Sequence, residues 1–154
     1  MDVNIVRTLM EEALEINKEL FLISFSISNG GDIEVIVDGD NGVSLEECIR
    51  ISRHIEHNLD REVEDFGLSV KSPDIMKPLV HPRQYIKNVG RKLQVSTKGE
   101  KIEGTLVSIE DDKISLEWKA REPKPIGKGK HTVTKQAVIA IEDIEKATVK
   151  IVFN

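Results

Sequence analysis

Two groups of cations stand out in this sequence of 154 residues. Lys71, Lys77, His81, Arg83, Lys87, Arg91 and Lys92 surround a proline-containing segment. Lys119, Arg121, Lys124, Lys128, Lys130 and Lys135 lie on and beside residues 120–131. Cations at this density neutralise phosphate, which gives sequence-independent, salt-sensitive affinity for nucleic acid. The competing reading is a solvated loop whose lysines serve solubility. The Pro and Gly content of 120–131 argues for exposure, and exposed loops often carry function. Tyr85 and Trp118 are the only large aromatics with a polar edge. Trp118 falls at strand spacing after Ile114 and Leu116, which assigns it to a barrel core. With few platforms for base stacking, recognition of backbone and shape is expected over reading of bases.

The other chemically suggestive groups lead nowhere catalytic. Asp38-Gly39-Asp40-Asn41-Gly42 begins like a Ca²⁺ loop, but the twelfth position, where a Glu is needed, is Ile49. No metal is expected; the plain reading is an acidic turn that ends a strand. Gly39-Asp40-Asn41-Gly42 also spells G-x-x-G, the KH-domain clamp on RNA. A KH loop joins two helices, whereas this one follows a strand and carries acids that repel phosphate. His54 and His57 lack a third ligand nearby in sequence. Cys48, the one cysteine, falls on an apolar helix face and excludes an intramolecular disulfide, as in a reducing cytoplasm. No phosphate-binding loop, dinucleotide fingerprint, nucleophile elbow or H-E-x-x-H is present. We expect no enzyme and no cofactor.

The elements that must position the cations divide at Lys71. Residues 1–70 carry 16 Asp/Glu and 5 Lys/Arg, a net of −11; residues 71–154 carry 11 and 17, a net of +6. The run Lys71-Ser72-Pro73-Asp74-Ile75-Met76-Lys77-Pro78-Leu79 has two prolines and cannot be a helix interior or central strand. Two domains are expected, 1–80 and 81–154, the second suited to a polyanion. Before the break, Val3, Val6, Met10 and Ala13 mark a helix, with Leu9, Leu14 and Ile16 widening its face. Phe21, Ile23, Phe25 and Ile27 alternate as a strand, Asn29-Gly30-Gly31-Asp32 is a turn, and Ile33, Val35 and Val37 form the other arm of a hairpin. Ser44 and Glu47 make a capping box for a second helix with Leu45, Cys48, Ser52, Ile55 and Leu59 on one face. Phe66, Leu68 and Val70 form a third strand. After the break the pattern is all-β: Leu93–Thr97, Ile102–Ile109 with a bulge or bend at Gly104, Lys113–Trp118, Val133–Ile141 and Ala147–Phe153, with 120–131 a long loop. The fold class is α+β: an α-β-β-α-β domain with two helices on a three-stranded sheet, then a small SH3-like or Sm-like barrel. No apolar run reaches the roughly 20 residues of a membrane span, and the N-terminus does not read as a secretion signal.

Several segments together resemble one family. They are Val35-Ile36-Val37-Asp38-Gly39-Asp40-Asn41-Gly42-Val43-Ser44-Leu45-Glu46-Glu47-Cys48, Ser69-Val70-Lys71-Ser72-Pro73, Lys77-Pro78-Leu79, and Tyr85 through Gly90-Arg91. Their order and spacing are similar to those of the bacterial ribosome maturation factor RimP family, over nearly the whole chain. The resemblance implies a cytoplasmic assembly factor, a monomer, that binds the immature small ribosomal subunit. It would aid folding of the rRNA and the joining of a ribosomal protein beside the decoding centre. On that reading Lys71, Ser72, Lys77, Arg83, Lys87, Arg91, Lys92, Arg121, Lys124, Lys128 and Lys130 contact ribosomal RNA, and Asp38 and Asp40 face a basic ribosomal protein. The family usually has Gly and Arg where this chain has Asp74 and Lys77. Asp74 is expected to take a left-handed turn conformation, and Lys77 keeps the charge without the guanidinium fork. Two other functions fit the residues: an Sm-like module acting on free small RNA or mRNA, and a hydrolase using Asp38, Asp40 and a divalent metal.

Overall fold

A computed structural model describes residues 1–151. The chain forms two compact units, Met1–Asp74 and Ile75–Asn154. The architecture is α+β, as the sequence implies. The first unit contains α1 (Val3–Glu15), β1 (Leu20–Ile27), β2 (Asp32–Gly39), α2 (Leu45–His57) and β3 (Gly67–Lys71). β1 and β2 form the expected antiparallel hairpin, and Gly31 takes the positive φ of 85° that the turn needs. β3 joins β2 in parallel, so α2 is a crossover helix and β2 the central strand. Val6, Met10 and Ala13 of α1 and Cys48, Ile51 and Ile55 of α2 bury against Ile33, Val35 and Val37. Both helices thus cover the same face of the sheet.

Three local readings need correction here. A bulge between Leu22 and Ser24 reverses the alternation of β1. Leu20, Leu22, Phe25 and Ile27 therefore face the core, and Phe21 turns to the other side opposite Asp38. Leu45, placed on the buried face of α2, is 75% exposed; as the first helical residue it overhangs the packed stripe, and Ile51 fills the core. The capping box at Ser44 is half formed. Ser44 Oγ accepts from the Glu47 N–H at 3.1 Å, but the Glu47 carboxylate accepts from Arg50 Nε at 2.8 Å and Asn17 Nδ2 at 3.0 Å instead. A guanidinium outcompetes a backbone N–H for a carboxylate. Arg50 Nη1 in turn donates to the Ala13 carbonyl at 2.9 Å, so this network ties α2 to the end of α1.

The second unit contains α3 (Pro82–Lys87), β4 (Lys92–Thr97), β5 (Glu100–Glu110), β6 (Lys113–Pro123), β7 (Lys130–Ala140), a 3₁₀ turn at Ile141–Asp143, and β8 (Ile144–Val149). The strands form one antiparallel sheet in the order β7-β6-β5-β4-β8, a barrel-like sheet that is not closed. Leu93, Val95, Leu106, Ile114, Leu116, Ile139 and Ala147 fill its inward face. The all-β expectation missed α3. Its six residues are too few for periodicity to show, although Pro82 at its first turn is a helix-start signal. His81 Nδ1 accepts from the Arg83 N–H, and Gln84 Oε1 accepts from the N–H groups of Val80 and His81. This cap seats Tyr85 in the core.

The long loop at 120–131 is also corrected. Ala120–Pro123 extend β6 and pair with residues of β7 as far as Pro123 opposite Lys130. The loop narrows to Lys124–Gly129, closed by the Lys124 N–H on the Gly129 carbonyl at 3.1 Å. Proline is tolerated at a strand end, which is why composition misled. Gly104 is not the bulge; the register shift lies between Leu106 and Ser108. A Cβ on Gly104 would stand 3.2 Å from the Trp118 ring, so Gly104 lets the indole lie over β5. The last strand begins three residues earlier than expected, and Val152 and Phe153 lie outside the described residues. Asp74 does not take a left-handed conformation; among the described non-glycine residues only Asp111 and Asp112 do, in the β5–β6 turn. No helix among the described residues is long and apolar enough to cross a membrane.

Two outcomes follow for stability. A Cβ at Gly39 would overlap the Gly42 carbonyl oxygen, a backbone atom held by the Gly42 N–H to Gly39 carbonyl bond. Gly39→Ala should cost about 1–3 kcal/mol, read by urea unfolding; an unchanged midpoint would mean that the turn relaxes freely. The Arg50 and Asn17 bonds hold the Glu47 carboxyl below its usual 4.5. The unfolded chain thus takes up this proton before the folded one does. The contribution is full above the ordinary Glu range and is lost as pH falls through the depressed folded value. Glu47→Gln should flatten the acid limb of a stability–pH profile, and an identical limb would count against this network.

Candidate nucleic-acid interface

Cross-strand partners in an antiparallel sheet share a face. That rule locates the cations of the second unit. Lys92 stands opposite Thr105, which stands opposite Glu117, which stands opposite Gln136. Leu93, Leu106 and Leu116, next to these, are buried, so this row points outward. Along the same parity Lys119 pairs with Thr134, Arg121 with Thr132 and Pro123 with Lys130. On the other side of β4, Ser96 is flanked by Lys101 of β5 and Lys146 of β8. Lys150 reaches the same face, where its Nζ meets Glu103. The outward face therefore carries Lys92, Lys101, Lys119, Arg121, Lys130, Lys146 and Lys150. No aromatic ring belongs to these rows.

This face unites Lys92, Arg121 and Lys130 of the expected residues. Lys124 and Lys128 sit in the loop beyond it. Arg83 and Lys87 lie on α3, which packs Tyr85 against the inward face, and so do not join it. Arg91 is exposed at the junction of α3 and β4, and Lys77 is exposed ahead of α3. Lys71 and Ser72 belong to the first unit; Lys71 Nζ lies 3.3 Å from Glu34 of the neighbouring strand. Lys101, Lys146 and Lys150 escaped sequence analysis because single lysines on β5, on β8 and just past β8 form no run. Only the register brings them together.

The face has one electrostatic hub. Glu103 accepts from Lys150 Nζ at 2.7 Å and from Gln94 Nε2 at 3.0 Å, with Lys92 Nζ 3.7 Å away. The bond from Lys150, then that from Gln94, holds its carboxyl below the usual range. Arg121 folds onto the ribbon, donating to Thr132 Oγ1 and to the Lys130 carbonyl, each at 3.3 Å. Lys101, Lys119, Lys124, Lys128, Lys130 and Lys146 make no ion pair among the described residues.

The acidic pair divides. Asp38 is buried, 3% exposed, with its Oδ1 on the Gly39 N–H at 2.8 Å, while Asp40 is exposed. Tyr85 is buried, which pushes its hydroxyl pKa up and removes it as a stacking platform. Cys48 is buried, and desolvation raises its thiol pKa. His54 Nε2 contacts Glu12 Oε2 at 3.0 Å. No group of three or more His, Cys, Asp or Glu among the described residues could hold a metal ion.

The chain is similar to known proteins. A model of the RimP N-terminal domain matches residues 8–75. A ribosome maturation factor RimP from Christiangramia forsetii is 53% identical over 148 residues, spanning 96% of this chain and 97% of that protein. The chain belongs to the RimP family. Its similarity to the RimP of Flavobacterium psychrophilum is 47% over 148 residues, 96% of each chain. That to the RimP of Porphyromonas gingivalis is 38% over 131 residues, covering 84% and 86%. The family resemblance seen in the Asp38–Cys48 and Ser69–Pro73 segments thus holds across both units.

Glu103→Gln tests the hub. Removing the carboxylate that pairs with Lys92 and Lys150 should raise RNA affinity about threefold and steepen the salt dependence by about one unit of slope. Fluorescence anisotropy across a salt series reads both, and lower affinity would show that Glu103 orders the lysines for binding.

Proposed function

We propose that this protein is a non-catalytic assembly factor of the small ribosomal subunit. The observation that carries the reading is the cation-lined outward face of the second unit, in a chain whose relatives are named ribosome maturation factors. Outward cations and a lack of stacking rings in those rows suit the phosphates of folded rRNA. The protein binds the immature subunit in the cytoplasm as a monomer. It draws the rRNA toward the competent fold by binding that conformation better than its alternatives. Lys92, Arg121, Lys124, Lys128 and Lys130 hold RNA on the second unit, with Lys77, Arg83, Lys87 and Arg91 around α3. Lys71 and Ser72 contribute from the first unit.

The first unit carries the opposite charge and takes the opposite partner. Asp40, with the exposed Glu46 nearby, faces a basic ribosomal protein beside the decoding centre. Asp38 acts through the turn, because its buried carboxylate holds the Gly39 N–H that shapes the loop.

Sucrose-gradient fractionation of lysates with and without the gene is the direct test. The protein should travel with free small subunits, and these should accumulate in the deletion strain. Migration at the top of the gradient with normal subunit ratios would sink this reading and favour free RNA as the ligand. Asp40→Lys should weaken binding of the ribosomal protein and leave RNA affinity within about twofold, because an exposed charge acts locally at physiological salt; unchanged protein binding would remove Asp40 from the contact.

A further inference from the structure

β5 accompanies β6 only from Lys113 to Glu117. From Trp118 onward β6 pairs with β7 alone, as far as Pro123 opposite Lys130. No residue from 119 to 135 is buried. The distal half of this hairpin is therefore a two-stranded arm that reaches past the core by about 17 Å of strand, plus its loop. A lone pair of strands is marginally stable in water. Its retention calls for a partner.

The arm's chemistry selects that partner. Residues 119–135 carry six Lys/Arg and one acid, Glu122, which pairs with Lys135. Such a charge repels a basic ribosomal protein and attracts RNA. The arm has no Phe, Tyr or Trp, and Trp118 at its base packs against the core. Proteins that hold unpaired bases rely on aromatic stacking, which this surface cannot offer. Its outward residues are instead Lys119, Arg121, Lys130, Thr132 and Thr134, cations alternating with hydroxyls. Phosphate oxygens and 2′-hydroxyls are the groups an A-form duplex displays across its wide minor groove.

We propose that the β6–β7 arm, with the outward face at its base, binds double-stranded RNA across the minor groove of a stem. This rests on the reading of that face as the rRNA contact and names the form of RNA it takes. Arg121 and Lys130 grip phosphates at the groove edge, and Thr132 and Thr134, on the same face of the arm, meet 2′-hydroxyls.

The test uses the full chain, a blunt RNA duplex, one of its strands alone, and a DNA duplex of the same sequence, all by anisotropy at one salt concentration. RNA duplex should bind at least ~10-fold tighter than the single strand or the DNA duplex. Arg121→Gln with Lys130→Gln, both exposed positions, should weaken binding of every RNA but that of the duplex most, bringing duplex affinity to within about twofold of the variant's single-strand value. Equal affinity for single strand and duplex, for DNA and RNA duplex, or an undiminished preference in the double variant would each overturn the inference. If the wild-type chain travels with small subunits yet shows no duplex preference, the arm inference fails and the rRNA reading stands. If it binds neither subunits nor any RNA, both fail.

Discussion

Leu93 and Val95 are fully buried, and β4 hydrogen-bonds to β5 on one side and β8 on the other. This interior strand sets the parity of its neighbours β5 and β8. With Leu93 and Val95 inward, Lys92, Gln94 and Ser96 must face out, and register hands the same orientation to Lys101, Glu103, Lys146 and Thr148. A slip of one residue would bury lysines and expose leucines, at a cost of several buried side chains worth about 1.5–3 kcal/mol each. The core and the candidate interface are two faces of one alternation, so selection on either constrains the other.

Charge is distributed on a second level. The acidic first unit and the basic second unit offer surfaces to partners of opposite sign. Within the basic face Glu103 then restrains the field, neutralising part of what Lys92 and Lys150 supply. A face of unopposed cations binds any polyanion; Glu103 among them lowers indiscriminate affinity, with Glu117 in the same outward row, while Lys101, Lys119 and Lys146 stay outside any ion pair among the described residues.

Particular elements show what could be read from the chain. The helix over Val3–Glu15 and the hairpin through Gly31 were legible because long periodic runs and Asn-Gly-Gly turn chemistry are local signals. Other elements escaped for stated reasons. The bulge at Leu22–Ser24 has no signature in residue type, and it alone put the buried Phe21 outside the cluster that packs under the helices. α3 is shorter than two full turns. The Pro- and Gly-containing stretch after Trp118 read as a loop, yet cross-strand bonds carry β6 to Pro123 and start β7 at Lys130.

The same division applies to function. By itself the sequence determined the charge reversal at Lys71, the two-part α+β organisation, the absence of recognisable catalytic motifs and the family resemblance, because composition and ordered motifs are properties of the chain. It also singled out Lys92, Arg121 and Lys130. Only the tertiary structure decided that these three share a face with Lys101, Lys146 and Lys150, that Asp38 is buried while Asp40 is exposed, and that much of a supposed loop is paired strand. The reason is physical. Strand pairing joins residues up to 56 positions apart, as Leu93 with Val149, and neither their distance along the chain nor their type encodes which face each will take.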